Sequence, residues 1–449
     1  MRRMTISPLR MPEDRDSIRF SLRMSVLACL ILLPLLSPAQ EHLDLSKCLT
    51  LARDKNLLLR ISAVGIRSAE LSQAEFQSSV LPQFKFRTEG SYAPSNSTFG
   101  YDPIASNEGE TSVQLVVEHT LYDGGARGIR TDQLSLGLEQ SGLLHRATDR
   151  DLTLSVQQAF IDVLLGQQEI EIEKQSVEQL QDYYDIVRRL SKAGAANATD
   201  VLKTQVQFAG AKSDLRASAA ETAAAKLTLD ELVGSSPDTA FVADGSLANL
   251  VGAALDTTSQ NELFDASLNL DSRIAAISVQ RSVLDAQIAE RERYPSVSLF
   301  GDAGILTSIQ NLQIPRSERS PYVGYMVGIS FELPLYTWGA IDARIQEREL
   351  AADTVRMQSA LLQRAIETEI QKTGIRLEAS RDHLRSIRSS RAAAEDNFLL
   401  TKAKYIGGGT LALEVLNAQQ IVSDTRRSEI QTLAEIQLLL AKLQQLTYK

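Results

Sequence analysis

The residues able to do chemistry are few and scattered. Histidine occurs four times, as His42, His119, His145 and His383, with no two at a spacing that would share a metal ion. No nucleophile motif is found. Gly407-Gly408-Gly409 is followed by Thr410 and not by the Gly-Lys-Ser/Thr of a phosphate-binding loop. The sequence therefore predicts no enzyme, no cofactor and no metal site. What does recur in matched places is glycine at tight reversals with an acid shortly after: Gly194 and Ala195 before Asp200, and Gly407, Gly408, Gly409 and Thr410 before Glu414. Glycine permits the turn and a close backbone approach, and an acid in a first helical turn is stabilised by the helix dipole.

These reversals belong to a plan written twice. Val113–Ala126, VQLVVEHTLYDGGA, is echoed by Val327–Ala340, VGISFELPLYTWGA. Leu121 and Leu335, Tyr122 and Tyr336, Gly194 and Gly408, and Val201 and Val415 are all 214 residues apart, while Pro82 and Pro295 are 213 apart. A period this long is not that of a solenoid.

The chain has 449 residues, 43% hydrophobic, 23% charged and only 5% aromatic, with 12 prolines, which leans towards long helices. From Arg19 a basic flank, the apolar run VLACLILLPLL and the small residues SPA form the three parts of a secretory signal peptide, with cleavage expected after Ala39. The alternative, a membrane anchor, has an apolar run well short of the ~20 residues a spanning helix needs. Leu27-Ala28-Cys29 has the look of a lipoprotein box, but the apolar run continues past it. Loss of residues 1–39 removes six arginines and three acids and moves the charge from −9 to −12, which argues against nucleic acid as a partner. Cys48 would then be the only cysteine, so no intrachain disulfide can form.

In order, Asp44 and Ser46 start a helix that runs to Val80, and residues 83–92 alternate as a strand. Residues 93–110 read as a loop. A second strand puts Val113, Leu115, Val117 and Leu121 on one face, with His119 an exception among them. A helix of about 126–192 follows, which at 1.5 Å per residue reaches about 100 Å. After the reversal at 193–197, Thr199 or Asp200 is placed to cap a returning helix. Its seam is a heptad series, Val201, Phe208, Leu215, Thr222 and Leu229, with the companions Thr204, Ala211, Ser218, Ala225 and Leu232. Residues 234–267 read as a connector. The second half repeats the plan: a helix over 272–293, strands 296–304 and 322–333, a helix over 342–404, a turn at 406–409, and a last helix with Val415, Val422, Ile436 and Leu443 in a seam that Glu429 interrupts.

The expected organisation is thus a signal peptide at 1–39, a first repeat at 40–233, an equatorial connector at 234–267 and a second repeat at 268–449. The fold class is mainly α with transmembrane β: long antiparallel helical hairpins plus four strands per protomer. The strands are of a length that crosses a bilayer when tilted. A sheet in lipid cannot leave an open edge, and single-chain barrels begin at eight strands, so the four must be shared between copies. Tyr122, Tyr336 and Trp338 at the strand-to-helix junctions suit the membrane interface.

Leu81-Pro82 with Tyr294-Pro295, LYDGG (Leu121–Gly125), PLYTWG (Pro334–Gly339), AGAANATDVL and YIGGGTLALEVLNAQ together resemble the TolC family of outer-membrane efflux proteins over essentially the whole mature chain. The resemblance implies a homotrimer whose twelve strands close one β-barrel in the outer membrane, continuous with a helical tunnel in the periplasm. It implies a passive exit duct for efflux or type I secretion, docked at its helix tips to a periplasmic adaptor that joins it to an inner-membrane transporter. Those tips are Gly194, Ala195 and Gly407–Thr410. By the same resemblance Glu414 and Asn417 form the periplasmic gate, and Tyr405 and Asp200 hydrogen-bond between neighbouring tips. Asn417 stands where an acid is common, so cation block is expected to be weaker; Thr410 stands where some members carry an arginine latch, so that latch is not expected here. The competing reading is a periplasmic coiled-coil adaptor or scaffold, which would need no lipid-length strands.

Overall fold

In a computed structural model the described residues are 41–91, 110–234, 241–249, 269–308 and 322–448. The expected signal peptide, both loops between paired strands and most of the 234–267 connector lie outside them. A short strand β1 (Glu41–Leu43) leads into α1 (Leu45–Lys55) and α2 (Leu57–Ser79), then β2 (Gln83–Ser91), β3 (Glu110–Asp123), α3 (Ala126–Lys192) and α4 (Ala198–Val233). The second half runs β4 (Phe241–Ala243), α5 (Leu270–Arg291), β5 (Ser296–Ser308), β6 (Tyr322–Glu332), α6 (Ala340–Ile406) and α7 (Ala412–Leu446). The repeat is visible in length: α3 and α6 both have 67 residues.

Several boundaries differ from expectation for local reasons. The helix expected from Asp44 to Val80 breaks at Asn56, whose backbone is extended and whose side chain caps α2 at the Leu58 N–H while donating to the Leu232 carbonyl at 3.1 Å. Asp44 does cap α1, accepting from the Lys47 N–H. Neither Thr199 nor Asp200 caps α4. The helix starts earlier, after Asn197, which leaves Asp200 inside the first turn. The connector holds β4, which pairs in parallel with β1, a contact no local pattern announces.

The helices pack as two antiparallel hairpins, α3 with α4 and α6 with α7, and α7 also lies along α3. The predicted heptad seam of α4 faces inward: Thr204, Ala211, Thr222 and Leu229 are buried and the rest of the series half-buried. Among the described residues three apolar cores result, two along the hairpins and a third where α3 meets α5, with Leu143, Ala147, Leu270 and Ile277. The first gathers Val156, Phe160, Val163 and Leu164 with Leu229, Leu384, Leu433 and Ile436, and takes in Cys48, whose thiol burial pushes up to about 11. The second lies near the tips, with Leu180, Tyr183, Val187, Phe398, Val415 and Val422. Where α3 crosses α4, a Cβ on Gly166 would sit 2.5 Å from Thr222 Oγ1. Gly166→Ala is expected to destabilise the fold by about 1–3 kcal/mol through overpacking. Adding Thr222→Ala should return most of that loss in a thermal melt.

Strands β2, β3, β5 and β6 form one antiparallel sheet in that order, leaving β2 and β6 as open edges. Phe84 and Phe86, Val113, Leu115 and Val117, Leu299 and Ile305, and Val323, Tyr325, Val327, Ile329 and Phe331 share one face through the strand register. That face is unusually apolar for an exposed surface, Tyr325 being 84% accessible. The other face carries Lys85, Arg87, Glu118, Asp302 and Ser330, with Phe300 lying over the bare backbone of Gly328. A bulge leaves Leu121 unpaired and sets Tyr122, not Leu121, opposite Val297 on the apolar face. His119 does lie on that face, opposite Leu299.

Candidate gate, docking tips and barrel surface

Both helix tips are built alike. Gly194 and Gly408 have φ of 75° and 76°, a left-handed turn that glycine takes without strain. In each tip a second amide reaches back five residues: Ala195 N–H to the Leu190 carbonyl and Gly409 N–H to the Lys404 carbonyl, both at 2.8 Å. Gly194, Ala195, Gly407, Gly408 and Gly409 are exposed and Thr410 half-exposed, so the tips present bare backbone, at the second tip between the exposed Ile406 and Leu411.

Glu414 lies in the first turn of α7 and Asn417 one turn on; both are exposed, at the edge of the face that buries Val415, Ala418 and Val422. Tyr405 is buried at the end of α6, and its hydroxyl, near that of Tyr183, makes no well-formed hydrogen bond among the described residues. Burial first, and then the nearby Asp200 carboxylate, raise its pKa above the ordinary phenol value. One chain thus brings Tyr405 and Asp200 close without a hydrogen bond between them.

The structure adds a residue the sequence reading passed over. Tyr183 of α3 is 1% exposed; its ring meets Tyr405 edge-on at 5.4 Å and its hydroxyl donates to the Ala412 carbonyl at 3.2 Å. It ties the hairpin of α3 and α4 to the first turn of the helix that carries Glu414. Its only signal in the sequence is an aromatic within a long helix, which ordinary core packing would explain equally well.

Between the two cores along the hairpins α3 and α7 meet through polar rungs: Ser176 with Gln419, Gln175 with Arg426, Glu173 with Arg427 and Glu169 with Gln431. Glu173 is 4% exposed, and its guanidinium partner is what lets a carboxylate stay buried there. Glu429, which interrupts the apolar seam, is held by Arg388 at 3.1 Å and Arg391 at 2.9 Å.

At the opposite end Tyr122, Tyr336 and Trp338 are exposed beside the apolar sheet face, and the Tyr336 and Trp338 rings meet edge-on at 4.7 Å. Among the described residues no helix is long and apolar enough to cross a membrane.

A four-stranded sheet with one exposed apolar face and two open edges, set on helical hairpins whose longer helices reach about 100 Å, defines a channel-forming protein of the outer membrane. The sequence model of the family described as "Outer membrane efflux protein" matches residues 48–235 and 266–447, and the chain belongs to that family. It is 22% identical to the outer membrane efflux protein BepC of Brucella suis, over 84% of this chain and 78% of that one. It is 25% identical to the proteases secretion protein PrtF of Dickeya chrysanthemi, over 63% of this chain and 61% of that one. The match thus spans about three fifths of PrtF. Among solved structures the chain superposes on CusC with a TM-score of 0.76 at 16% identity, covering 91% and 93% of the two chains. With VceC of Vibrio cholerae the TM-score is 0.72 at 15% identity, covering 90% and 96%. The adaptor or scaffold alternative gives way to the family reading, since the strands it would not need are present and match.

Proposed function

We propose that this chain is one third of an outer-membrane exit duct, passing substrates passively from an inner-membrane transporter and its periplasmic adaptor to the cell exterior. The observation that carries this reading is the sheet: four strands, apolar on one face and polar on the other, too few to close a barrel and open at both edges. Three copies supply twelve strands. The polar face, with Lys85, Glu118 and Asp302, then lines the pore and the apolar face meets outer-membrane lipid, with Tyr122, Tyr336 and Trp338 at its interface. No catalysis and no nucleic acid enter this function.

At the periplasmic end Glu414 and Asn417 narrow the tunnel, with the acid contributing a ring of three charges. Tyr405 and Asp200 join neighbouring tips, which would give the buried Tyr405 hydroxyl its partner. Gly194, Ala195 and Gly407 to Thr410 form the surface on which an adaptor's helical hairpins dock, where the absence of side chains lets backbones approach.

The membership is tested by extracting the outer membrane in mild detergent and measuring particle mass with bound detergent subtracted. A three-chain particle that needs detergent supports the duct; a water-soluble particle overturns it. The gate is tested in planar bilayers, where Glu414→Ala and Tyr405→Phe are each expected to raise single-channel conductance. Unchanged conductance in both variants removes the gate assignment.

A further inference from the structure

On the apolar face of the sheet the side chains leave a hollow of about 270 Å³. Its floor is Gly301 and Ala303 of β5. Leu115 and Val117 of β3 wall one side and Tyr325 and Val327 of β6 the other, because these are the residues the register sets directly opposite the floor. The hollow is thus complete within one chain and needs no neighbouring copy.

Nothing in the chain requires a glycine at its centre. Gly301 has no left-handed backbone, and a Cβ built on it would meet the Met326 carbonyl oxygen at 3.5 Å and Val327 Cγ2 at 3.7 Å, ordinary contact distances. Gly304 is a contrast, since a Cβ there would strike the Val113 carbonyl oxygen at 2.2 Å. Nor does the doubled plan ask for it: at the 213-residue shift of Pro82 and Pro295 the counterpart of Gly301 is Thr88. A glycine inside a strand weakens the strand and often marks a place where another group approaches the backbone closely. The walls carry no charge, and an apolar void left empty forfeits dispersion contacts along its lining. The group that fits is a hydrocarbon.

Resting on the lipid-facing orientation proposed above, we propose that this hollow seats the end of one acyl chain of a phospholipid in the periplasmic leaflet. Its depth points to that leaflet and to the chain end. Gly301 lies five residues beyond Ser296, where β5 starts at the helical junction (301 − 296 = 5). At about 3.3 Å per residue and a tilt of about 40°, that is roughly 13 Å along the membrane normal. Half of a hydrocarbon core is about 15 Å. The hollow therefore opens near the mid-plane, where the chains of that leaflet end. Tyr122, opposite Val297, marks the headgroup level from which the depth is counted.

The test reconstitutes the full chain in phosphatidylcholine vesicles holding a trace of phosphatidylcholine with a nitroxide at its chain end. Electron spin resonance then separates held chains from fluid ones, and a chain end held near the mid-plane stands out because its neighbours tumble freely. Gly301→Leu fills the hollow and is expected to lower the held component by one chain per copy, with Gly301→Ala between it and the parent. Gly324→Leu lies on the other face, where a Cβ meets nothing within 4 Å, and is expected to leave the held component unchanged. A nitroxide beside the headgroup should register no difference among these proteins. Equal held components in the parent and Gly301→Leu overturn the site, as does an equal loss in Gly324→Leu. No held component in any of them, with the label at either position, overturns instead the lipid-facing orientation beneath it.

Discussion

Tyr183→Ala is expected to lower the stability of the periplasmic tip by about 3–5 kcal/mol, the range for deleting a large aromatic from a packed core. The ring is 1% exposed and packs edge-on against Tyr405, with Leu180, Val187 and Val415 in the same core. Its loss leaves a cavity at the point where α3, α6 and α7 converge. Tyr183→Phe separates packing from tethering: it keeps the ring and removes only the bond to the Ala412 carbonyl. A net hydrogen bond contributes about 1 kcal/mol, so the phenylalanine variant should melt close to the parent. It should still alter conductance at the proposed gate, because Ala412 begins the helix that carries Glu414. The measurement is a pair: a denaturant melt followed by a tip-located probe, and single-channel recording. A phenylalanine variant with parental conductance would reduce Tyr183 to a packing residue.

Arg427→Leu should cost about as much, roughly 3–5 kcal/mol, by a different route. The substitution leaves the Glu173 carboxylate with its side chain 5% exposed and its guanidinium gone. The sign follows from burial: the guanidinium, itself 35% exposed, offsets the cost of taking the Glu173 carboxylate from water, and removing it leaves that cost unopposed. The double variant Glu173→Leu/Arg427→Leu removes both charges and is expected to melt near or above the parent. A thermal melt of the two variants decides the matter. If the single variant is no less stable than the double, the pair is not a desolvated charge pair in the assembled protein.

The sequence carried more of the fold than of the site. The heptads of α4, the left-handed glycines at both tips and the alternation in the strands are local patterns, and Val201 to Leu229 lie on the face the seven-residue spacing assigns. The bulge at Leu121 was not legible, because a bulge is a property of two strands and the alternation of one strand runs straight through it. Nor was the break at Asn56, where an asparagine within an apolar helical pattern is decided by the Leu232 carbonyl it meets 176 residues away.

By itself the sequence determined the elements, their order and their doubling, since periodicity, turn glycines and the 214-residue spacing need no partner to be read. The tertiary structure decided which surfaces meet. Glu173 and Arg427 read singly as charges on amphipathic helices, and Tyr183 as one more core aromatic. Their roles exist only because α3 and α7 lie side by side, and no spacing along the chain encodes a contact between residues about 250 apart.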